Sequence, residues 1–407
     1  MTTPSRVRRP LRCAVPRRWR RPLRLGVSFT GGVGLVLTTT LAAGASPAPG
    51  SVTAASEVAW STVDAGDSHT CAVGQDHSLW CWGRNHDGQL GNGHRLAQHS
   101  PIQVGDEDVW SAVSAGASDT CAIRIDATLW CWGNNDNGRL GLGDAERRLV
   151  PVQVGEQHWR SVSANSYHTC AIRDDGSLWC WGLNHDGQVG DGSTHGRHRP
   201  TRIGANTDWL SVSTGLFHTC GIQASHVLRC WGLNAYGQLG LGDYDRRLLP
   251  TPVGTDRDWS VVASGYAHTC ATRLDGTAWC WGENTYGQLG DGTTTTHTTP
   301  NRVGDATSWT AMSAGLAHTC GVRAKGSLYC WGFNNFGQVG DNSSTDRHSP
   351  VHIGHNTLWK DLGLGSYHSC AYQSDGTAWC WGYNGYGQIG DGTTGSFSTP
   401  QKVVANG

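Results

Sequence analysis

The sequence predicts an all-β fold, a seven-bladed β-propeller built from repeats of about 50 residues with four short strands in each blade. A segment with two cysteines ten residues apart occurs seven times, and successive copies lie 50 residues apart, with one pair 49 apart. Fixed self-similarity of this length is typical of arrays, solenoids and propellers. Every repeat also contains four short apolar segments divided by turn residues, with no ten-residue helical period. This pattern favours a propeller over a β-solenoid, whose coils are shorter.

The fifth repeat shows the predicted order of elements. A first strand is predicted over residues 259–265, beginning at a tryptophan, and a second strand contains the His-Thr-Cys sequence of residues 268–270. A turn separates it from a third strand, the Trp-Cys-Trp-Gly sequence of residues 279–282. A glycine-rich segment, residues 284–292, precedes a fourth short strand from Pro300 to Val303.

The two cysteines of each repeat are predicted to staple a hairpin. Asp-Gly between two apolar runs is a hairpin signal, and cysteines ten apart face each other only across a loop with an odd number of residues. A three-residue loop fits, with Gly176 in the left-handed position, Cys170 opposite Cys180 and Ile172 opposite Leu178. The turn position is filled in the other repeats by Gly276, Gly326 and Gly376, and by the less favourable His77, Ala127 and His226.

Disulfides are the preferred interpretation of these cysteines, with reduced structural thiols and metal ligands as the alternatives. Zinc pairs usually stand two to four residues apart, and the spacing here is ten with no second pair nearby. A bridge across so short a loop should contribute about 2–3 kcal/mol. The predicted pairs are Cys71–Cys81, Cys121–Cys131, Cys170–Cys180, Cys220–Cys230, Cys270–Cys280, Cys320–Cys330 and Cys370–Cys380.

The N-terminal region predicts export. Residues 1–24 contain nine arginines and no acidic residue, residues 25–45 carry no charge, and Ala43-Gly44-Ala45 is a small-x-small cleavage site. We therefore predict an export signal over residues 1–45, a linker over residues 46–56 and the seven-repeat propeller over residues 57–407. An uncleaved membrane anchor is the alternative, because 21 uncharged residues are nearly enough to span a bilayer. The export route stays open, and after cleavage no stable membrane span is expected.

Cleavage changes the charge of the protein. The whole chain has 31 basic and 32 acidic residues, and loss of the nine arginines leaves 22 against 32, a formal charge of −10. Such an acidic chain is not expected to bind nucleic acid. The remaining 14 cysteines all have partners within their repeats, which fits an oxidising compartment. We expect a monomer that is secreted or held in the cell envelope.

The motifs of the repeat resemble those of the regulator of chromosome condensation repeat. They are Trp-Gly-x-Asn-x-x-Gly-Gln-Leu-Gly, a Pro-x-x-Val segment and Gly-x-x-His-Thr, and the resemblance covers all seven repeats. The resemblance implies a seven-bladed propeller. Gln is replaced by Arg139 and His by Asp119, both in the second repeat. Kelch repeats share the period but need a Gly-Gly pair in each blade, which these repeats lack.

The functions known in that family carry over only in part. Its founding member exchanges nucleotide on a small GTPase at chromatin, and an exported acidic protein would meet neither partner. The plant ultraviolet photoreceptor of this fold uses a Gly-Trp-Arg-His-Thr motif, where this sequence has Gly-Tyr-Ala-His-Thr at residues 265–269. Secreted bacterial members include a propeller that inhibits β-lactamases through one face, which implies a similar architecture and compartment here.

Recurring polar residues are interpreted as structural. The six histidines before the first cysteine (His69, His168, His218, His268, His318 and His368) are expected to satisfy backbone groups within their own blades rather than to form a metal ring. Asp191, Asp291, Asp341 and Asp391 are expected to form turns, with calcium binding as the alternative. No catalytic motif occurs, so we predict a non-enzymatic protein that needs no cofactor or metal.

Aromatic residues on predicted loops are the candidate partner-binding site. The loop after the repeated Asn carries an aromatic residue in the last four repeats, and another precedes the repeated His in three repeats. These residues are Tyr236, Tyr286, Phe336, Tyr386, Tyr167, Phe217 and Tyr367. Aromatic loop tips suit a protein interface, although they are also able to pack the turns. A secreted scaffold binding a partner protein is the first hypothesis, a carbohydrate- or cell-wall-binding module the second, and an exported enzyme the third.

Overall fold

The predicted seven-bladed β-propeller is confirmed in a computed structural model of the protein, which describes residues 58–354 and 358–405. Within each blade, four antiparallel strands follow one another in sequence order across the sheet. The predicted export signal, with Cys13, and the predicted linker lie outside the described residues. Within the described ranges, no helix is long and apolar enough to cross a membrane.

The strands have the following bounds. Blade 1 contains β1 (Trp60–Ala65), β2 (His69–Gly74), β3 (Leu79–Gly83) and β4 (Gln98–Gln103). Blade 2 contains β5 (Trp110–Ala115), β6 (Asp119–Arg124), β7 (Thr128–Gly133) and the first half of β8 (Arg148–Ala164), and the second half of β8 begins blade 3, followed by β9 (His168–Arg173), β10 (Leu178–Gly182) and β11 (Arg197–Arg202). Blade 4 contains β12 (Trp209–Thr214), β13 (His218–Gln223), β14 (Leu228–Gly232) and β15 (Arg247–Pro252), and blade 5 contains β16 (Trp259–Ser264), β17 (His268–Arg273), β18 (Ala278–Gly282) and β19 (His297–Arg302). Blade 6 contains β20 (Trp309–Ala314), β21 (His318–Arg323), β22 (Ser327–Gly332) and β23 (Arg347–His352), and blade 7 contains β24 (Trp359–Leu364), β25 (His368–Gln373), β26 (Ala378–Gly382) and β27 (Phe397–Lys402). A short 3-10 turn, Asp136–Gly138, lies in the loop after β7.

Blades 2 and 3 are joined by one continuous strand. β8 is 17 residues long and merges the two blades into a seven-stranded sheet. The join coincides with the single 49-residue step, because the connection from Gly155 to Trp159 is one residue shorter than that from Gly105 to Trp110. The shorter connection stays paired with β7 through Thr128 and His158, although Gly155 keeps a positive φ of 64°, so the strand continues from one blade to the next through an irregular point.

The hairpin prediction is confirmed in register and in turn geometry. Cys170 is paired with Cys180 and Ile172 with Leu178, and a disulfide joins the two cysteines of each repeat, with Cα atoms 4.1 Å apart in this one. Gly176 has φ of 77°. The three less favourable residues, His77, Ala127 and His226, also adopt positive φ, of 69°, 66° and 56°. At two of them the histidine Nδ1 lies within hydrogen-bonding distance of the carbonyl oxygen of the tryptophan that begins the next blade, 3.0 Å away for His77 and 2.9 Å for His226.

The hydrophobic core lies between the blades. Seven buried clusters each combine side chains of two neighbouring blades, including the pair formed by the last blade and the first. In the cluster between blades 1 and 2, Trp110 and Trp132 of blade 2 pack against Val73 and Leu79 of blade 1. The tryptophan after the second cysteine is almost fully buried in every blade, and the tryptophan that begins the first strand is 1–4% exposed.

The ring closes without an exchange of strands between its ends. Blades 1 and 7 are each formed by four consecutive strands. The Trp60 backbone N–H donates to the Gly376 carbonyl oxygen at 2.8 Å, and the Gly392 N–H donates to the His99 carbonyl oxygen at 3.0 Å. Side chains from both ends also share one buried cluster, which includes Trp82.

The outermost strand of each blade carries a proline. A proline cannot donate a ladder hydrogen bond, and it discourages pairing of an exposed edge with another chain. The prolines are Pro101, Pro151, Pro200, Pro250, Pro300, Pro350 and Pro400. This arrangement is compatible with the expected monomer.

Candidate functional site

The two faces of the propeller differ in the length of their loops. Because the strands run up and down, the loops after the first and third strands of each blade lie on one face, which we call the loop face. The other face, the turn face, carries the three-residue hairpin turns and the connections between blades. The loop after the third strand is the longest, as between Gly83 and Gln98 in blade 1. The loop face therefore offers most of the irregular surface.

Each long loop is held by its asparagine. In blade 1 the Asn85 Oδ1 accepts a hydrogen bond from the Leu90 N–H at 3.0 Å, and its Nδ2 donates to the His94 and Leu96 carbonyl oxygens. The loop then reaches the next blade, where the Gly93 N–H donates to the Leu149 carbonyl oxygen at 2.9 Å. The Asn motif is thus a structural device that fixes the shape of the loop face.

The aspartates of the Gly-Asp-Gly and Gly-Asp-Asn turns act within the same loops. The Asp191 Oδ1 accepts from the backbone N–H of Ser193 at 3.0 Å and from its hydroxyl at 2.8 Å. The Asp191 Oδ2 accepts from Arg197 Nε at 2.6 Å. These contacts give the carboxylate a turn-forming role, and among the residues that the structure describes no group of three or more His, Cys, Asp or Glu is placed to hold a metal ion.

Aromatic rings form a continuous chain over one part of the loop face. The ring centroids of Tyr286 and Phe333 lie 4.8 Å apart, across the boundary between blades 5 and 6. Phe336 lies 6.3 Å from Phe333 and 5.1 Å from Tyr367, and it contacts Tyr383 of blade 7 at 5.2 Å.

The chain of rings continues to the first blade. Tyr386 lies 6.5 Å from Tyr383 and 5.8 Å from His86 of blade 1. We call the whole set the aromatic arc: Tyr286, Phe333, Phe336, Tyr367, Tyr383, Tyr386 and His86. The arc crosses three blade boundaries, and its contacts are mostly edge-to-face, the geometry that aromatic pairs favour.

Members of the aromatic arc are partly exposed. Phe336 is 37% exposed and His86 is also exposed, whereas the four tyrosines are half-buried and Phe333 is 3% exposed. The rings therefore pack against each other and still present apolar edges to solvent. Four of the seven sequence-predicted aromatic residues belong to the arc. Phe333, Tyr383 and His86 were missed.

Two other predicted residues form a separate stack. Tyr167 of blade 3 and Phe217 of blade 4 are parallel, with centroids 5.2 Å apart and an interplanar angle of 4°. The guanidinium of Arg139 lies over the Tyr167 ring at 5.2 Å. The remaining predicted residue, Tyr236, is half-buried in the long loop of blade 4, outside the contacts that define the arc.

The recurring histidines link neighbouring blades, so the prediction that they act within their own blades is wrong. The Nε2 of His168 lies 2.7 Å from the Thr219 hydroxyl of the next blade, and that hydroxyl donates to the Gln188 carbonyl oxygen at 2.8 Å. Since the hydroxyl has only one proton, which it donates to the carbonyl oxygen, the histidine must donate from Nε2. Burial lowers its pKa to about 3. The six histidines are fully buried and all make this contact, the last of them closing the ring from His368 to Thr70 at 2.9 Å.

Blade 2 replaces this contact with a buried ion pair. Asp119 stands in the histidine position and Arg139 in the position of the repeated Gln, and their charged groups lie 3.8 Å apart. Burial raises the pKa of Asp119 to about 7, although the guanidinium opposes the shift. Arg139 donates to the Ser166 carbonyl oxygen of blade 3. The two departures from the repeat are thus one coupled substitution.

A tyrosine spans the axis at the loop face. Tyr266 of blade 5 donates its hydroxyl to Asp67 Oδ1 of blade 1 at 2.5 Å, and Ser366 of blade 7 donates to the same oxygen at 2.6 Å. The small axial recess here is lined mainly by residues at the ends of the first strands. The three side chains close the centre of the ring, and burial together with the Asp67 carboxylate raises the pKa of Tyr266 well above its ordinary value.

These observations define a class of protein, a disulfide-stapled propeller with an asymmetric aromatic loop face. Two family models, both described as the regulator of chromosome condensation (RCC1) repeat, each match the chain seven times. One matches residues 60–89, 110–139, 159–188, 209–238, 259–288, 309–338 and 359–388. The other matches residues 76–123, 126–172, 175–222, 230–272, 275–322, 325–372 and 375–407. The chain belongs to the RCC1 repeat family.

Solved structures share this fold. Human WBSCR16 is 23% identical, with a TM-score of 0.73 over 81% of this chain and 95% of its own. Yeast RCC1 (Prp20) in complex with Kap60 is 21% identical, with a TM-score of 0.72 over 81% of this chain and 84% of that chain. Prp20p from Saccharomyces cerevisiae, a protein with binding properties to Gsp1p and histones, is 20% identical, with a TM-score of 0.72 over 86% of this chain and 88% of that chain. Among curated proteins, none matches this chain.

Proposed function

We propose that the protein is a secreted, non-enzymatic scaffold that binds a partner protein through the aromatic arc of its loop face. The observation that carries the proposal is the unbroken chain of ring contacts from Tyr286 to His86. Rigid, partly exposed aromatic side chains give large contact areas at low entropic cost, and they dominate the binding energy of many protein interfaces.

The uneven composition of the loop face favours a protein partner over a glycan. The residue after Trp-Gly differs from blade to blade, being Arg84, Asn134, Leu183, Leu233, Glu283, Phe333 and Tyr383. A polysaccharide offers the same unit repeatedly, so a glycan module would carry similar sites in several blades. A protein surface has no such period. The lopsided arc therefore supports the first hypothesis.

The cysteines support export. All seven pairs are oxidised and buried, and such a density of disulfides is typical of oxidising compartments. The described yeast neighbours bind proteins, namely Kap60, Gsp1p and histones. We transfer from them only the use of a propeller for protein binding. Nucleotide exchange is not part of the proposal, since an exported chain would not meet a cytoplasmic GTPase.

The experiment compares partner capture by the native protein and by a variant of the arc. The oxidised protein is immobilised and exposed to the culture medium and envelope extract of the producing cells. A Phe336→Ser, Tyr383→Ser double variant removes two central rings, and the identified partner is then purified and its affinity measured. We expect the double variant to weaken binding at least tenfold, because truncation of an aromatic hot spot costs about 2 kcal/mol or more and about 1.4 kcal/mol corresponds to tenfold in affinity.

A matched control comes from the opposite face. Leu274, in a hairpin turn of blade 5, is 60% exposed, so Leu274→Ser removes an exposed apolar side chain without touching the arc. The control variant should bind as the native protein does. Equal binding by the double variant would refute the proposed site, and capture of a purified glycan in place of a protein would favour the carbohydrate alternative.

A further inference from the structure

Glu283, on the loop face, is an acidic side chain that forms no ion pair with any residue that the structure describes. Its position, directly after the Trp-Gly of blade 5, is occupied by apolar residues in the two neighbouring blades, Leu233 and Phe333. Its only side-chain hydrogen bond among the described residues comes from the Thr285 hydroxyl at 3.3 Å. Several other acidic residues of this face do pair with a cation, as Asp87 does with Arg147 at 2.9 Å and Asp341 with Arg347 at 2.5 Å.

An aromatic residue lies close to Glu283 in the sequence of the same loop. The Glu283 backbone N–H donates to the Ala267 carbonyl oxygen at 2.9 Å, and Tyr286 follows in the same loop and contacts Phe333 at 4.8 Å. Glu283 is partly buried, and burial raises its pKa above the ordinary value. A carboxylate that loses hydration without gaining a cation is unfavourable in the free protein. A cation supplied by a bound partner would stabilise this carboxylate.

The side chains that precede the recurring histidines are small in this region. The residue before the recurring histidine is Ala267 in blade 5 and Ala317 in blade 6, where blades 3, 4 and 7 carry Tyr167, Phe217 and Tyr367. Two methyl groups thus stand between aromatic rings on either side. A long side chain entering here would reach the carboxylate while its stem contacted apolar surface, as Lys and Arg stems commonly do.

We propose that Glu283 anchors a lysine or arginine side chain of the partner, presented by an extended segment that continues over the aromatic arc. This inference rests on the proposed function and adds the chemistry of the occupant. The charged head pairs with the carboxylate, and the adjacent ring of Tyr286 favours a cation near its face. Five ring-to-ring steps of 4.8–6.5 Å lead from Tyr286 through Phe333, Phe336, Tyr383 and Tyr386 to His86. An extended chain at about 3.3 Å per residue would follow them with no more than about nine residues.

Charge complementarity supports this occupant. After loss of the nine N-terminal arginines, the chain has 22 basic and 32 acidic residues, so it attracts basic partners at long range. In this proposal the Glu283 carboxylate determines where on the loop face the partner's cation binds. An acidic or purely apolar segment would leave this carboxylate buried and unpaired in the complex.

The test uses a displayed library of random peptides of about ten residues as the probe. The oxidised protein is the bait, and the Phe336→Ser, Tyr383→Ser variant removes binders of other surfaces. The selected peptides are then measured on Glu283→Gln, which keeps the shape and the acceptor for Thr285. The control is Asp305→Asn, which makes the same charge change at an exposed residue of the turn face.

We expect selected peptides to be enriched in Lys or Arg beside apolar residues. Their affinity should fall about tenfold on Glu283→Gln, weaken with added salt, and stay unchanged on Asp305→Asn. Peptides that need the arc but bind Glu283→Gln as tightly as the native protein would overturn the anchor and leave the proposed function standing. Failure to recover any peptide that depends on the arc would overturn both.

Discussion

The links between blades predict an unequal response to the same substitution in two neighbouring blades. Thr219 and Thr169 are both fully buried and directly precede the first cysteine of their repeats. Each donates its hydroxyl to a carbonyl oxygen of the preceding blade, at 2.8 Å for Thr219 and 2.9 Å for Thr169. Only Thr219 also accepts a hydrogen bond from a histidine, because blade 2 has Asp119 in place of the histidine.

Replacing the hydroxyl by a methyl group should therefore cost more at Thr219. Thr169→Val removes one neutral hydrogen bond, worth about 0.5–1.5 kcal/mol. Thr219→Val removes the equivalent bond and also leaves the buried Nε2–H of His168 without an acceptor, a further penalty of about 1–3 kcal/mol. In both variants the carbonyl oxygen that loses the hydroxyl still accepts from a tryptophan Nε1–H, at 3.0 Å for Gln188 and 2.7 Å for Arg139. The cost at the carbonyl oxygen should therefore be the same in the two variants. We expect Thr219→Val to be the more destabilising by about 1–3 kcal/mol.

The measurement is equilibrium unfolding in denaturant at about pH 7.5. This pH lies about one unit above the pKa of a histidine in an unfolded chain, so the histidines are mostly neutral in both states. Disulfides are kept intact, and tryptophan fluorescence reports unfolding. Comparing midpoints at a common slope gives the difference in the free energy of unfolding. Thr219→Ser should recover most of the loss, since Ser369 already accepts from His318 at 3.0 Å in blade 7. Equal costs for the two valine variants, or a greater cost at Thr169, would refute the proton assignment along this chain.

Three further predictions concern stability. The six recurring histidines have pKa values of about 3 in the folded state because they are buried, whereas in the unfolded chain they bind protons below about pH 6.5, so stability should fall as the pH falls. Asp119 and Asp64 oppose this effect, because their raised pKa values let them hold protons in the folded state. The free energy of unfolding should therefore drop by about 5 kcal/mol per pH unit near pH 5, which is measurable as proton uptake on unfolding. Arg139→Gln alone should destabilise by about 3 kcal/mol at pH 8 because Asp119 loses its cation, and adding Asp119→His should restore most of this, which a double-mutant cycle would check. The cysteine residues are buried, so after treatment with a mild reductant, thiol reagents should label the protein only once it is denatured. Rapid labelling of the native fold would contradict this. The double variant Cys220→Ala, Cys230→Ala removes one disulfide and should lower the free energy of unfolding by about 2–3 kcal/mol.

The architecture could be predicted from the sequence because the repeat supplies its own comparison. The ten-residue spacing of Cys170 and Cys180 fixed the hairpin register, and the same spacing in all seven repeats made the inference independent of the variable turn residue. The number of blades followed from the number of repeats. The continuous strand β8 was not predicted, although the 49-residue step was visible, because a deletion does not say how the shortened connection is folded.

The contacts between blades could not be predicted in the same way. His168 and Thr219 are 51 residues apart, and the sequence does not say whether a buried side chain points within its blade or across the gap. Asp119 and Arg139 were both visible as departures from the repeat, but their pairing depends on the loop that brings residue 139 back to the start of β6. Phe333 and Tyr383 were missed for a related reason. The position after Trp-Gly differs in every blade except the two that carry leucine, so nothing in the repeat marked it as aromatic.

The division between repeated and variable positions explains how a symmetric ring acquires one face of distinct composition, the face to which we assign the proposed interface. Residues that join blades must satisfy the same geometry seven times, so the buried asparagine, the tryptophans and the His–Thr pairs recur with few exceptions. Most residues after Trp-Gly and before the histidine are partly exposed on the loop face, with Phe333, Ala267 and Ala317 as the buried exceptions, and their identities vary between blades. Substitutions at these positions should affect folding little, whereas they would change the surface that a partner contacts. Three members of the aromatic arc, Phe333, Tyr367 and Tyr383, occupy these positions, and the arc continues through Tyr386 to His86 across the boundary from blade 7 to blade 1. The closed ring holds these side chains in fixed places, as the proposed protein interface requires.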